Sequence, residues 1–429
     1  MSQPPGNPAA GPDPVGAPAR AESTARQVRR RLGIRRERVQ QSFLATGAMF
    51  FFTGAVFGTW AGRIPSFKED LHLTNGQLAA AFVSLEAAAV AGLQLGGFLV
   101  PKISSRRALT WALPTFGLAL AVLGTVPNLV LLALVLAVMG IANSVVDVAI
   151  NATGVAVQHL SGRSLMSRLH AMHSIGGIAG AGAGAGAALA ALKVSRAGHF
   201  LPVGVLIAIG AVLASRRLLP PEIEKRADTI TTRPVAGWRG GWSRQLVIIG
   251  VVAFCLTFTE GGANNWSAVY LREDLSVGAG PAAVAVAAFL AAMTAGRLIG
   301  DRLLTRFGPA TVFRAAVLVA GLGFGAAVAL DHPIAGFTGL ILLGLGLSVT
   351  LPVTISAAGS LPGLAMATAV SRVSTMGYLG SFVAPAVIGT FAGLLTLGWA
   401  LAGTAILVLL TFPAARLLSQ ATPESRAAD

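Results

Sequence analysis

The sequence predicts an all-α polytopic membrane protein of twelve transmembrane helices in two pseudo-symmetric six-helix halves. Three observations carry that reading. The 429-residue chain is 54% hydrophobic and 11% charged, with a mean hydropathy of +0.72, whereas a soluble domain carries about 25% charged residues. Apolar runs recur from Ser42 to Ala414, and a helix needs roughly 20 such residues to cross a bilayer. The later runs repeat the earlier ones at one nearly constant offset. Outer-membrane strands do not fit, because the runs are about twice the length of a barrel strand and do not alternate.

The elements follow in order. Residues 1–41 open with MSQPPGNPAAGPDPVGAPAR and hold eight arginines between Arg20 and Arg38. Such a segment cannot bury a core and reads as a disordered basic cytosolic tail facing lipid. It is no signal peptide, since the first apolar run is too long and lies too far in. The N-terminal half, 42–214, holds runs at 42–62, 77–100, 108–126, 129–157, 169–192 and a short one at 200–214. A charged, proline-containing segment, 215–244, reads as a cytosolic linker. The C-terminal half, 245–414, holds runs at 245–270, 281–300, 312–331, 334–356, 365–390 and 396–414, and 415–429 is a second cytosolic tail.

Lysine and arginine placement sets the orientation. With the N-terminus cytosolic, the outside loops hold Arg63, Lys68, Lys193, Arg196 and Arg272, which leaves 27 of the 32 basic residues inside. Both termini are therefore expected in the cytosol, in the cell (inner or plasma) membrane. Basic residues beside anionic headgroups account for the net charge of +15 without nucleic acid. Cys255 is the single cysteine, so no intramolecular disulfide can form.

The repeat is visible by eye. KEDLHLTNGQ (68–77) matches REDLSVGAGP (272–281), GLQLG (92–96) matches GRLIG (296–300), and SRLHAMHSIGG (167–177) matches SRVSTMGYLGS (371–381). All three pairs share one offset, 204 residues, and FTGAVFGTW matches FTEGGANNW at 206. Spans six apart run in the same direction, so the halves are parallel repeats about an axis along the membrane normal.

With this duplication the chain resembles the major facilitator superfamily from Ser42 to Ala414. That family carries an Asp-Arg loop signature between spans two and three and again between eight and nine. The second copy stands here as GRLIGDRLLTRFG, with Asp301 and Arg302. In the first copy, GGFLVPKISSRR, Gly97 replaces the acid. The blocks DVAINATGVAVQHLSGRSLMSRLHAMHSIGG and FTEGGANNWSAVYLRED resemble the MosC-like, rhizopine-transport-associated branch. The resemblance implies alternating access, with spans three, six, nine and twelve as lipid-facing supports. It also implies a conformational brace of Asp301 and Arg302 against Arg168 at the opposite helix start. The twin of Arg168, Arg372, meets no acid at Gly97.

Polar groups present in one half alone mark the candidate site. Asn143, Asp147 and Asn151 fall four apart, one stripe on a helix, and map at the offset to Leu347, Leu351 and Ile355. Glu86 maps to Leu290, Glu260 to Gly54, and His170 and His173 to Ser374 and Gly377. An acid at the bilayer centre costs roughly 2.5–3.5 kcal/mol on insertion scales, so such residues face water or partners and mark proton or ion pathways. Glu86, Asp147 and Glu260 are therefore the proton-coupling candidates. Folding the span four–five hairpin about Gly162 would put Asp147, Asn151 and His173 in one pocket. The pair Gly261-Gly262 suggests a helix break beside Glu260 that would expose backbone to solute. Asn143, Asn151, His173, Asn264, Asn265 and Trp266 are the substrate-contact candidates, for a polar solute with an apolar face such as a sugar or cyclitol. The glycines between Gly176 and Gly186 read as close helix packing.

His170 and His173 lack a second metal-spaced pair, HAMHS is not HExxH, and no nucleophile elbow or P-loop is present. No metal, cofactor or enzymatic activity is expected. The function expected is that of a monomeric, proton-coupled secondary transporter, a symporter whose partners are protons, a small-molecule substrate and membrane lipid. An exporter of drugs or secondary metabolites with the same fold, or a non-transporting membrane sensor, are the alternatives.

Overall fold

In the computed structural model, residues 17–73, 75–183, 194–224 and 242–420 are described. The first half holds α1 (Ala17–Leu32), α2 (Arg36–Ala61), α3 (Ile64–Asp70), α4 (Asn75–Ile103), α5 (Ser105–Leu123), α6 (Leu129–Ser161), α7 (Met166–Ala183) and α8 (Arg196–Ser215). The second holds α9 (Arg244–Glu273), α10 (Ala279–Phe307), α11 (Pro309–Ala329), α12 (Pro333–Gly359), α13 (Met366–Leu394) and α14 (Leu397–Leu410), followed by α15 (Ala415–Gln420). Each expected span coincides with a helix over its described residues, apart from one to three residues at some ends and the turn at Thr411. By length and composition ten of the described helices could cross a membrane. The two spans outside that ten are α5, with Arg106 and Arg107 in its first turn, and α7, described only as far as Ala183.

The sequence repeat is a repeat of packing. The contacts α4–α6, α2–α7 and α5–α8 have counterparts in α10–α12, α9–α13 and α11–α14. Close approach is set by glycine at equivalent places. A Cβ on Gly140 would collide with the Leu85 carbonyl, and one on Gly344 with the Phe289 carbonyl. Both the glycines and the carbonyls are related by the offset of 204. Small residues let helix backbones touch in a bilayer, where burying apolar surface against lipid gains nothing. Gly176 and Gly180 serve the α7–α2 contact in the same way, meeting the Phe51 and Ala55 carbonyls. Gly184 and Gly186 lie outside the described residues.

The halves meet along two seams that are images of each other, α4 with α13 and α10 with α7. The side of the bundle bearing α1 and α15 is here termed the terminus side.

Two expectations change. Residues 17–32, expected within a disordered tail, form α1, which buries Ala25 and Leu32 and donates from the Arg29 guanidinium to the Leu160 carbonyl at the end of α6. Its Ala, Arg, Gln and Glu content favours helix, and docking supplies what a short isolated helix lacks. α9 runs unbroken through Gly261-Gly262. Those glycines instead face Ser381 and Ile388, so they let α9 and α13 approach. The linker is described only at its ends, since residues 225–241 lie outside the described residues, as do 421–429 of the tail. At the linker's start the Glu224 carboxylate accepts from the Ser105 N–H, capping α5.

Candidate functional site

Along one face of α6, the Asn151 amide donates to the Asp147 carboxylate at 2.9 Å and also to the Asp147 carbonyl. One turn above Asp147, the Asn143 amide donates to the Tyr378 hydroxyl of α13 at 3.2 Å. Ser374, also on α13, hydrogen-bonds Asp147. The Gln94 amide of α4 donates to Thr375 at 2.9 Å. Glu86, half-buried on α4, lies close enough to act electrostatically on Tyr378. These side chains form one polar cluster across the α4–α6–α13 seam. The side-chain amide oxygens of Asn143 and Asn151 are buried without a hydrogen-bond partner among the described residues. Such groups are costly unless something else satisfies them.

A second cluster spans α2, α7, α9 and α10, centred on a residue that sequence reasoning passed over. Arg297 of α10 is buried, donates to the Ser174 hydroxyl at 2.7 Å and stands 3.7 Å from the Glu260 carboxylate. Its charge acts on both His170 and His173, and His173 hydrogen-bonds the Phe50 backbone. The His170 ring packs at 5.1 Å on the Phe50 ring.

His173 therefore belongs with Arg297 and Glu260, and the expected pocket of Asp147, Asn151 and His173 does not form. The reason is topological. A short loop joins α6 to α7, yet α6 packs on α4 while α7 packs on α2, so the hairpin opens.

Asn264 lies one turn beyond Glu260 on the same face of α9, and both it and Asn265 are exposed. Asn265 turns its amide back to the Gly261 carbonyl at 2.7 Å. Trp266 is held by its indole N–H on the Pro385 carbonyl at 3.2 Å and covers Gly389. None of the three touches Arg297 or Asp147 through a hydrogen bond.

Closer to the terminus side the seams are bolted differently. At the start of α7, the Ser167 N–H donates to one Asp301 oxygen at 3.0 Å. The Arg168 N–H and side-chain Nε donate to the other at 3.1 and 2.9 Å. A carboxylate there also meets the positive end of the helix dipole. Arg302, its neighbour, is exposed. At the image position Gly97 lets α13 approach directly. Thr368 donates to the Gly97 carbonyl and Ser371 to the Leu93 carbonyl, at 3.2 and 2.6 Å. Arg372 lies with its guanidinium 4.7 Å from the Trp242 ring. Gln158 to Ser356 and His159 with Ser360 add contacts between α6 and the end of α12. All these bonds between halves lie on the terminus-side half of the bundle.

Arg297 was findable. It lies inside GRLIG, opposite Leu93, and is as unmatched between the halves as the acids are. Tyr378, Ser374 and Gln94 carry no such signal strong enough to single them out.

Residues 5–181 and 46–385 match the Major Facilitator Superfamily. An uncharacterised transporter of that type from Yersinia pestis is 30% identical over 301 residues, 70% of this chain and 76% of its own. The membrane protein MosC of Rhizobium meliloti is 26% identical over 301 residues, 70% of this chain and 71% of its own. Among solved structures, the transporter FucP in its outward conformation superposes with a TM-score of 0.72 at 18% identity, covering 88% of this chain and 98% of FucP. Two repeated six-helix halves meeting at polar seams, and a family match over most of the sequence, lead to one conclusion: this chain belongs to the Major Facilitator Superfamily.

Proposed function

We propose that the protein is a proton-coupled secondary active transporter of the cell membrane, moving a small polar organic solute, sugar- or cyclitol-like, by alternating access. The observation that carries the proposal is the pair of polar clusters on the two seams between the halves. An acid lies in each, Asp147 in one and Glu260 in the other, and neither has a counterpart in the duplicate half. Groups so placed must exchange water for partners as the halves rock, which links protonation to conformation. A related structure of FucP is named as the E. coli fucose:proton symporter, and that chemistry agrees with the amide- and hydroxyl-rich seam.

With the termini in the cytosol, the bolted side is the cytosolic one and the conformation is outward-facing. Asp301 with Arg168 then acts as the brace that holds this state. A hydrogen bond to a charged group such as the Asp301 carboxylate is worth about 1.5–3 kcal/mol and a neutral one about 1 kcal/mol net, so a handful of them is strong enough to close the side and weak enough to release it.

Arg297 favours a second solute class. It is a buried cation with Nε unpartnered among the described residues, and a carboxylate on the solute would satisfy it. The test is counterflow in liposomes against sugars, cyclitols and organic acids, each with and without a proton gradient. Gradient-driven accumulation of a neutral polyol supports the first reading, accumulation of an acid supports the second, and no counterflow of any solute supports a non-transporting sensor.

A further inference from the structure

On the terminus side, α1 and the start of α2 close over the α6–α7 loop to leave a cleft of about 270 Å³. Four arginines line it, Arg29 from α1, Arg36 from α2, Arg163 from the loop and Arg168 from α7. Gln40 and Ser161 add polar groups, and Phe43 and Leu165 form part of an apolar floor. Among the described residues no carboxylate lines it. Like charges held this close repel, and the Arg29 guanidinium has its pKa lowered by burial and by Arg36, with Glu22 on the same helix offsetting part of that shift. α1 is nevertheless docked, with Arg29 on the Leu160 carbonyl and Ala25 and Leu32 buried. Four guanidiniums around one cavity, of which Arg168 is ion-paired with Asp301, are suited to a polyvalent oxyanion, which accepts several forked hydrogen bonds at once.

We propose that this cleft binds a phosphate-bearing anion, gripped by Arg29, Arg36, Arg163 and Arg168. The phosphate comes either from an anionic lipid headgroup, whose chains would run along the apolar floor, or from a soluble phosphate compound. Arg168 is shared with Asp301, so an occupant of the cleft touches the same side chain that bolts α7 to α10. The site stands apart from both central clusters and does not depend on which solute they carry.

Thermal unfolding of the purified full-length protein tests it. The probes are short-chain phosphatidylglycerol, short-chain phosphatidylcholine as its zwitterionic control, and sodium phosphate against sodium chloride at matched ionic strength. Arg163→Gln removes one gripping group from an exposed loop without disturbing α1, and Arg29→Gln removes a second. Arg31→Gln, exposed on α1 and outside the cleft, is the control. The wild type should show saturable stabilisation by phosphatidylglycerol or phosphate and none by phosphatidylcholine. Arg163→Gln should weaken the midpoint roughly tenfold, the effect of one charge-assisted hydrogen bond, while Arg31→Gln leaves it within about twofold. A response to phosphatidylglycerol alone assigns the lipid source, and a response to inorganic phosphate assigns the soluble one. No saturable response to either, or an equal loss in Arg31→Gln and Arg163→Gln, overturns the site.

Discussion

Ser174 and Tyr378 stand 204 residues apart at one position of the two halves, and each accepts a hydrogen bond from the opposite half. The acceptors are symmetric and the donors are not. Arg297 reaches Ser174, whereas Asn143 reaches Tyr378, and neither donor has a polar counterpart at the offset position. Duplication thus supplied a common pivot, and divergence placed different chemistry on its two sides.

This asymmetry has a measurable consequence. Tyr378→Phe removes a neutral hydrogen bond worth about 0.5–1.5 kcal/mol, whereas Ser174→Ala removes one to a buried guanidinium, worth about 1.5–3 kcal/mol. Both should favour opening of the terminus side, Ser174→Ala by more. Labelling of a cysteine at Ala367, buried at the α4–α13 seam, reports the opening in a Cys255→Ala background. Equal labelling in both variants and the parent would remove the pivot from the account.

Asp301→Asn should loosen the α7–α10 seam, because one amide oxygen replaces two charged acceptors and the amide nitrogen faces donors. Faster labelling on the terminus side and slower transport are expected, with solute binding retained. Gly97→Asp should not restore a second brace. Its Cβ would fall against the Ser371 side chain, and overpacking of this kind costs about 1–3 kcal/mol. Gly97→Asp should melt below the parent, and a melting temperature above the parent would contradict this reading of the seam.

Most helix positions were legible because run length in a bilayer is a strong constraint and each half repeats the other. What depended on tertiary neighbours was less legible. α1 forms where composition argued for disorder, since a proline-rich start gives way at Ala17 to residues that dock on α6. His173 falls in the Arg297 cluster because sequence adjacency of α6 and α7 says nothing about which helix each packs against. The glycine pair after Glu260 carries the same letters as a break, yet here it faces α13 and serves contact. Arg297 was written in the sequence, and the comparison of halves identifies it once cations are weighed alongside acids.

Topology has its own test. Cysteines at Thr125 and Ser276, exposed on the side opposite the termini, should label from outside intact cells in the Cys255→Ala background. Cysteines at Arg107 and Arg163, exposed on the terminus side, should not. The reverse pattern would invert the assignment of sides and with it the outward-facing reading.

Coupling through Asp147 is the centre of the functional proposal. Asn151 donates to its carboxylate and Ser374 reaches it from the other half, and under the proposal these contacts tie its protonation to the α6–α13 seam. Asn at 147 keeps the shape and cannot titrate. The decisive measurement is proton-driven accumulation beside solute counterflow, in the same liposomes, for the parent and Asp147→Asn. The account predicts that accumulation is lost and counterflow kept. Accumulation at the parent level in Asp147→Asn would contradict it and move the proton to Glu260 or Glu86.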